Sequence, residues 1–319
     1  MPDIDRIHIP VLADRIVELL APALAAPGSV FVDCTLGLAG HASLLLDAAP
    51  TSRLVGIDRD ADALALAGER LARFGDRVTL VQAVYDELPE VLADLRLKSV
   101  AAILADLGLS SLQIDRRDRG FAYAVDAPLD MRMDTTSGQT AADIVNTYSV
   151  ADLTRILRTF GEERFADRIA RRIADERTQR PFDTSARLVQ VLDAAIPTAS
   201  KISGGHPAKR TFQALRIEVN HELEALEGLL PAALAALAPN GRLAVLAYHS
   251  LEDRLVKNAF RDASTDTAPR GLPMVLAEHR AQFALLTKGA ERPAESEQAA
   301  NPRAASARLR AIRRLEAAA

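Results

Sequence analysis

Apolar positions recur along the chain at two periods. Between residues 29 and 108, short and nearly continuous apolar runs (Val30 to Cys34, Arg53 to Asp58, Arg77 to Gln82 and Val100 to Asp106) are separated by longer stretches with helical spacing. Strands buried on both faces read this way, so the pattern predicts a parallel sheet wrapped by crossover helices. Residues 60 to 73 illustrate the intervening helices: Ala63, Leu64, Ala67 and Leu71 share one stripe, and Asp60 suits the N-cap. Beyond Asp106 the pattern changes. Residues 113 to 180 carry many charges, several helical stretches and no convincing strand. The sheet resumes after Pro231 to Pro239, which end a helix, and the turn signal Asn240-Gly241. Arg242 to His249 reads as a strand, Glu252 to Phe260 as a helix, and Phe283 to Thr287 and Ala307 to Ile312 as strands that complete a seven-membered sheet. The prediction is one Rossmann-like α/β domain, residues 1–112 and 215–319, interrupted by a helical insertion, residues 113–214. Residues 289–306, polar and rich in Ala, Glu and Pro, are expected to form a long mobile loop.

Composition narrows the function classes. The chain has 319 residues, 49% of them hydrophobic and 26% charged, as in soluble globular proteins. No apolar run approaches the roughly 20 residues needed to cross a bilayer, and the N-terminus lacks a signal pattern, so a cytoplasmic location is expected. The single cysteine, Cys34, makes no intramolecular disulfide, and no Cys/His cluster offers a zinc site; no metal is expected. A net charge of −4 argues against a uniformly basic surface and leaves room for a local patch.

The loop from Asp33 to His41 runs from a buried strand through Gly37 and Gly40 into a helix, the setting of a nucleotide site. Asp58 stands at the end of the second strand, where an acidic side chain accepts from both ribose hydroxyls. A pyrophosphate site of the G-x-G-x-x-G kind is missing its third glycine, whereas Asp33, Asp58 and Asp106 place carboxylates at three strand ends. These features favour S-adenosylmethionine, which has no phosphate and carries positive charge, over NAD. An NAD-dependent oxidoreductase remains the alternative at this point.

The fourth strand ends in Asp106-Leu107-Gly108-Leu109-Ser110-Ser111-Leu112-Gln113. Asp118-Arg119-Gly120-Phe121-Ala122-Tyr123 and Pro128-Leu129-Asp130-Met131-Arg132-Met133-Asp134 follow. With Gly161 to Ala166, His206 to Arg216, His249 to Arg254 and Asn301 to Ala304, these ordered blocks make the chain resemble, almost end to end, bacterial 16S rRNA (cytosine-N4)-methyltransferases of the MraW type. The resemblance implies S-adenosylmethionine as cofactor, with Ala39, Gly40, His41, Asp58, Tyr85, Asp106 and Gln113 as its binding positions. It implies as substrate a cytidine in the decoding centre of 16S rRNA, within the small ribosomal subunit, methylated at N4. Oligomeric state stays open between monomer and homodimer. Two residues depart from the family pattern: Ala39 stands where glycine is usual and Leu112 where proline is common. Ala39 must keep φ negative or tolerate modest strain.

The residue chemistry agrees with an amine acceptor. Methylation at cytosine C5 uses a cysteine thiolate, and the only thiol lies in the first strand. Zinc deamination lacks its Cys-x-x-Cys. An exocyclic amine needs orientation and an acceptor for its N–H, and Asp106 is the best candidate for that catalytic part. His249 could serve as a base or fix a turn. Tyr248 could stack on a base, and Phe121 and Tyr123 could stack a flipped cytosine or form local core. For RNA, Arg164, Arg168 and Arg171 line a basic helix face beside Phe165, Ile169 and Ile173. Lys201, Lys209, Arg210 and the tail arginines 303, 308, 310, 313 and 314 form further clusters. A second alternative is a non-catalytic RNA-binding or ribosome assembly factor on a methyltransferase scaffold.

Overall fold

A computed structural model describes residues 10–110, 113, 119–197, 206–268, 276 and 279–316; the expectations for Ser111, Leu112, Asp118 and Lys201, and for the side chain of Arg303, lie outside the described residues. The chain divides into two compact units, Met1–Gly108 with Glu224–Ala319, and Leu109–Leu223. The helical unit therefore keeps the helix Ala208–Asn220 whole, where the pattern of apolar residues suggests a boundary within it.

The first unit is built on a seven-stranded sheet of order β3-β2-β1-β4-β5-β7-β6. Its strands are β1 (Val30–Asp33), β2 (Arg53–Asp58), β3 (Val78–Gln82), β4 (Val100–Asp106), β5 (Leu237–Ala247), β6 (Phe283–Leu285) and β7 (Arg308–Arg314). β1 to β5 run parallel, and β7 pairs antiparallel with both β5 and β6. Alternation along the strands sends side chains to two separate cores. Phe31, Leu54, Leu104, Leu246 and Leu309 pack with α1 (Ala13–Leu20), α2 (Gly40–Ala48) and α3 (Ala61–Leu71). Val32, Val55, Ile57, Ile103, Val245 and Ile312 face the opposite side, toward α4 (Leu88–Asp94), α10 (Glu222–Ala236) and α11 (Ser250–Ala263). A strand with both faces covered cannot show a polar face, which is why these runs read as continuously apolar.

Two expectations need correction. Asn240-Gly241 is a bulge inside β5 rather than the turn before it: Val100 pairs with Leu237 and Ala102 with Arg242, so residues 238–241 loop out of the ladder, with Asn240 at φ 63°. The strand thus begins five residues earlier than its apolar run. The helix before β5 does end within Pro231 to Pro239, at Ala236, with Pro231 inside α10. Residues 289–306, expected as a mobile loop, contain α12 (Glu295–Ala300), a 3₁₀ turn (Pro302–Ser306) and a bridge between Glu291 and Leu309. Their order comes from ionic anchors that composition does not reveal. Arg15 holds Glu291 through two bonds of 2.8 and 2.9 Å, and the Leu12 amide donates to Glu297 at 2.7 Å.

The second unit has its own core under α5 (Ala141–Thr147), α6 (Val150–Thr159), α7 (Ala166–Gln179), α8 (Ser185–Ala195) and α9 (Ala208–Asn220). Thr140 and Ser149 cap α5 and α6 by accepting from Asp143 N and Asp152 N at 3.1 Å. Asn220 ties the segment after Tyr123 to α9: its Oδ1 accepts from Met133 N at 2.8 Å and its Nδ2 donates to Met131 O at 2.8 Å.

Candidate active site

The parallel register sets the depth of each strand end. Asp33 pairs with Gly56 on one side and Leu104 on the other, so Asp58 and Asp106 each reach two residues beyond the end of β1. The loop after β1 turns into that step. Its Leu36 amide donates to Ile57 O at 2.9 Å, and its Gly37 amide donates to Asp58 Oδ2 at 2.7 Å. Strand order reverses between β1 and β4, the switch point where open α/β sheets take their ligands.

The start of α2 is shaped by close packing. Ala39 is fully buried at φ 57° and ψ 30°, the left-handed region, so the second of the two conformations open to it is the one adopted. An alanine there carries strain of about 1 kcal/mol that a glycine would not. A Cβ on Gly40 would stand 2.6 Å from Pro10 Cγ, so only glycine fits under the proline ring. His41 is buried. Its Nε2 lies 2.9 Å from the Val11 carbonyl, which can only accept, so this nitrogen carries the proton. Nδ1 then lies 3.5 Å from Asp106 Oδ2.

The three strand-end carboxylates are costly. Burial pushes Asp33 up to about 7, with the charges of Asp106 and Asp58 adding to the rise and the Thr35 amide opposing it. Burial likewise pushes Asp58 up to about 6 against the amides of Asp60 and Gly37. Asp106 is raised by burial, opposed by His41 and by the Tyr248 hydroxyl, which donates to Oδ1 at 2.8 Å. Desolvated anions crowded on adjacent strand ends favour a cationic ligand. A dinucleotide pyrophosphate would add negative charge where three acids already repel one another.

The structure brings Ala39, Gly40, His41, Asp58 and Asp106 together in one unit. Tyr85 opens the 3₁₀ turn Tyr85–Glu87 beyond β3 in that same unit and is half-buried. Gln113 belongs to the helical unit. It is buried and locked to Ser110 by a reciprocal pair: its Oε1 accepts from Ser110 N at 3.1 Å, and its amide donates to Ser110 Oγ at 3.2 Å.

His249 is the N-cap of α11, its ring accepting from Glu252 N at 3.4 Å while its Nε2 lies 3.1 Å from Glu252 Oε1. This occupies it as a structural cap. Tyr248, read from sequence as a stacking residue, instead bonds to Asp106. Two contributions had no signal in the sequence: this phenol, and Thr35, whose Oγ1 accepts from Asp106 N at 2.6 Å. Both depend on the juxtaposition of residues 71 and 142 positions apart. Phe121 is buried in the helical core, and Tyr123, half-buried against that core, stacks on His206 with ring centroids 4.5 Å apart and meets Phe212 edge-on.

The basic residues divide into two sets. Arg164, Arg168, Arg171, Lys209 and Arg210 are exposed. Arg164 precedes α7, beside its N-cap Phe165, while Arg168 and Arg171 lie on the helix opposite buried Ile169 and Ile173. The tail arginines 308, 310, 313 and 314 make contacts within the sheet unit. Arg308 and Arg310 grip Asp253, Arg313 reaches Asn240, and Arg314 donates to Leu237 O.

A sheet of this order, with its antiparallel seventh strand and carboxylates at the switch point, defines an S-adenosylmethionine-dependent methyltransferase with a Rossmann-like class I fold. Within that class the chain belongs to the MraW methylase family, whose profile matches residues 5–315. It is 60% identical over 307 residues to "Ribosomal RNA small subunit methyltransferase H" of Nocardioides sp., covering 96% of each chain. Over 308 residues it is 58% identical to the protein of that name from Streptomyces avermitilis, covering 97% of each. Among the described residues no helix is long and apolar enough to cross a membrane.

Proposed function

We propose that the chain transfers a methyl group to the exocyclic N4 of a cytidine in the decoding centre of 16S rRNA, within the small ribosomal subunit. The observation that carries the choice of atom is the state of the only thiol. Cys34 is buried directly after β1, where burial and the neighbouring Asp33 hold it far above the ordinary thiol range, so it cannot supply the thiolate that C5 methylation requires. The relatives' printed name, with identities of 54–60% across nearly the whole chain, supports small-subunit rRNA as the acceptor.

Ala39, Gly40, His41, Asp58, Tyr85 and Asp106, all in the sheet unit, form the donor site in this reading. Asp58 accepts from the ribose hydroxyls, Tyr85 lies against the adenine, and the strand-end acids complement positive charge. S-adenosylmethionine supplies an electrophilic methyl group on a sulfonium centre. An exocyclic amine is a weak nucleophile because its lone pair is delocalised into the ring, so the protein's part is orientation. Asp106 accepts from the amine N–H and aligns the lone pair, an effect worth roughly 10²–10⁴-fold. The helical unit is the substrate-recognition part, with Arg164, Arg168, Arg171, Lys209 and Arg210 on phosphates. Lys209 and Arg210 occupy the first turn of α9, where the helix dipole disfavours cations, and an anion beside them would relieve that cost.

The test is to incubate the protein with labelled methyl donor and bacterial small subunits, then map modified nucleosides by mass spectrometry. N4-methylcytidine at a single position is expected. 5-Methylcytidine, or label only on protein, would overturn the reading.

A further inference from the structure

The carboxylate of Asp106 is held from one side by Tyr248, which the sequence offers only as a residue that could stack on a base. Tyr248 follows β5, donates its hydroxyl to Asp106 Oδ1 at 2.8 Å, and is held at two further points, its amide and its ring. Its amide donates to Glu252 Oε2 at 2.7 Å. The same Oε2 accepts from His249 N at 3.2 Å, so the cap of α11 fixes the backbone that carries the phenol. The tyrosine ring also lies 3.3 Å from the place a Cβ on Gly108 would occupy, and Gly108 adopts φ +96°. Glycine there lets the ring close over the chain two residues past Asp106. The helix start, the phenol and the carboxylate thus form one rigid relay. On the far side of the carboxylate, Oδ2 faces His41 Nδ1 at 3.5 Å, too long for a strong bond.

We propose that Tyr248 is a positioning residue of the methyl-transfer site: by occupying Oδ1 it fixes the Asp106 carboxylate in one rotamer and leaves Oδ2 as the oxygen that accepts from a ligand N–H. The inference rests on the reading of Asp106 given under Proposed function. A free carboxylate presents either oxygen and loses orientation on binding, whereas one already bonded presents a single acceptor in a fixed direction. Among the described residues, the charged and titratable groups facing Asp106 are Asp33 from β1, His41 from α2, Glu252 from α11 and Tyr248 itself. Burial and Asp106 hold the phenol well above its usual range, so Tyr248 stays a donor throughout the working range of pH. Its hydrogen bond favours the ionised carboxylate against burial and the like charges of Asp33 and Glu252.

The test compares wild type with Tyr248→Phe, which removes one oxygen and keeps the ring. In protein carrying ¹³C-carboxyl aspartate, with the Asp106 resonance assigned from Asp106→Asn, the midpoint of Asp106 should move up by about one pH unit in Tyr248→Phe. Turnover on small subunits at saturating donor should fall by up to about tenfold below the wild-type midpoint of Asp106, with the loss shrinking as pH rises above the midpoint of the variant. Replacing the four tyrosines by 3-fluorotyrosine, a stronger hydroxyl donor, should move the midpoint the other way. A purely structural tyrosine would give an equal loss at every pH with the midpoint unmoved, and that result, or wild-type behaviour in both measurements, overturns the proposal. If Asp106→Asn keeps wild-type turnover, it is the reading of Asp106 that fails, while the carboxyl titration still decides whether Tyr248 holds that group.

Discussion

The two units of this protein treat charge in opposite ways. In the sheet unit the charges at the candidate site are acids at strand ends, desolvated and pushed toward neutrality: Asp33 to about 7 and Asp58 to about 6. In the helical unit the charges proposed for RNA are four exposed arginines and one exposed lysine, beside or on α7 and α9, in a unit whose core includes Ile169, Ile173, Leu157 and Phe212. Buried charge is expensive and is kept only where something repays it, so its position points to chemistry. Solvated charge costs almost nothing, so its position says far less. The contrast teaches that the donor site can be argued from energetics, whereas the RNA surface must be argued from salt dependence.

Asp106→Ala attacks the buried side most severely. Turnover at saturating donor should fall at least 10²-fold, and because Asp106 is also one of the proposed donor-site acids, donor affinity should weaken as well. Single-turnover methylation measures this, and near-normal rates would remove Asp106 from the chemistry. Next in size is the stability cost of the acids. Because Asp33 and Asp58 sit above the ordinary value of 3.8, the folded protein holds more protons than the unfolded chain between about pH 4 and 7, and stability falls as pH rises through that window. Asp33→Asn keeps an acceptor for the Thr35 amide and should raise stability at pH 8 on the order of 2 kcal/mol, a gain that vanishes near pH 4. Thermal melts across pH follow it.

The solvated side should answer differently. Replacing Arg164, Arg168 and Arg171 together by Ala should leave the melting temperature nearly unchanged. RNA affinity should drop roughly tenfold at physiological salt, and the slope of log K against log salt should shrink by about one for each phosphate that is no longer neutralised. An unchanged slope would mean that this face is merely solvated. The smallest effect belongs to Ala39→Gly, which relieves left-handed strain and should stabilise the fold by at most about 1 kcal/mol in a denaturant titration.

Legibility in the sequence follows the same division. Strand ends are readable because an apolar run closing on an acid is a local signal, and β1, β2 and β4 end at or within one residue of the positions it indicates. The start of β5 is not, since Pro239-Asn240-Gly241 has the chemistry of a turn and only the pairing across to Val100 makes it a bulge. Nor is the order in residues 289–306, which depends on Arg15 and Leu12 from the other end of the chain. The tail arginines resemble an RNA surface because sequence shows charge without showing Asp253 and the carbonyls that absorb it. Asp106 is visible; its partner Tyr248 is visible only as an aromatic residue at a strand end.

The central claim, that the strand-end acids hold the methyl donor, is tested most directly by calorimetry of S-adenosylmethionine against wild type and Asp58→Asn from pH 5 to 8. The account predicts affinity that rises with pH through about 6 in wild type and is at least tenfold weaker, with a flatter pH dependence, in Asp58→Asn. Equal affinity and equal pH dependence in the two proteins would contradict it.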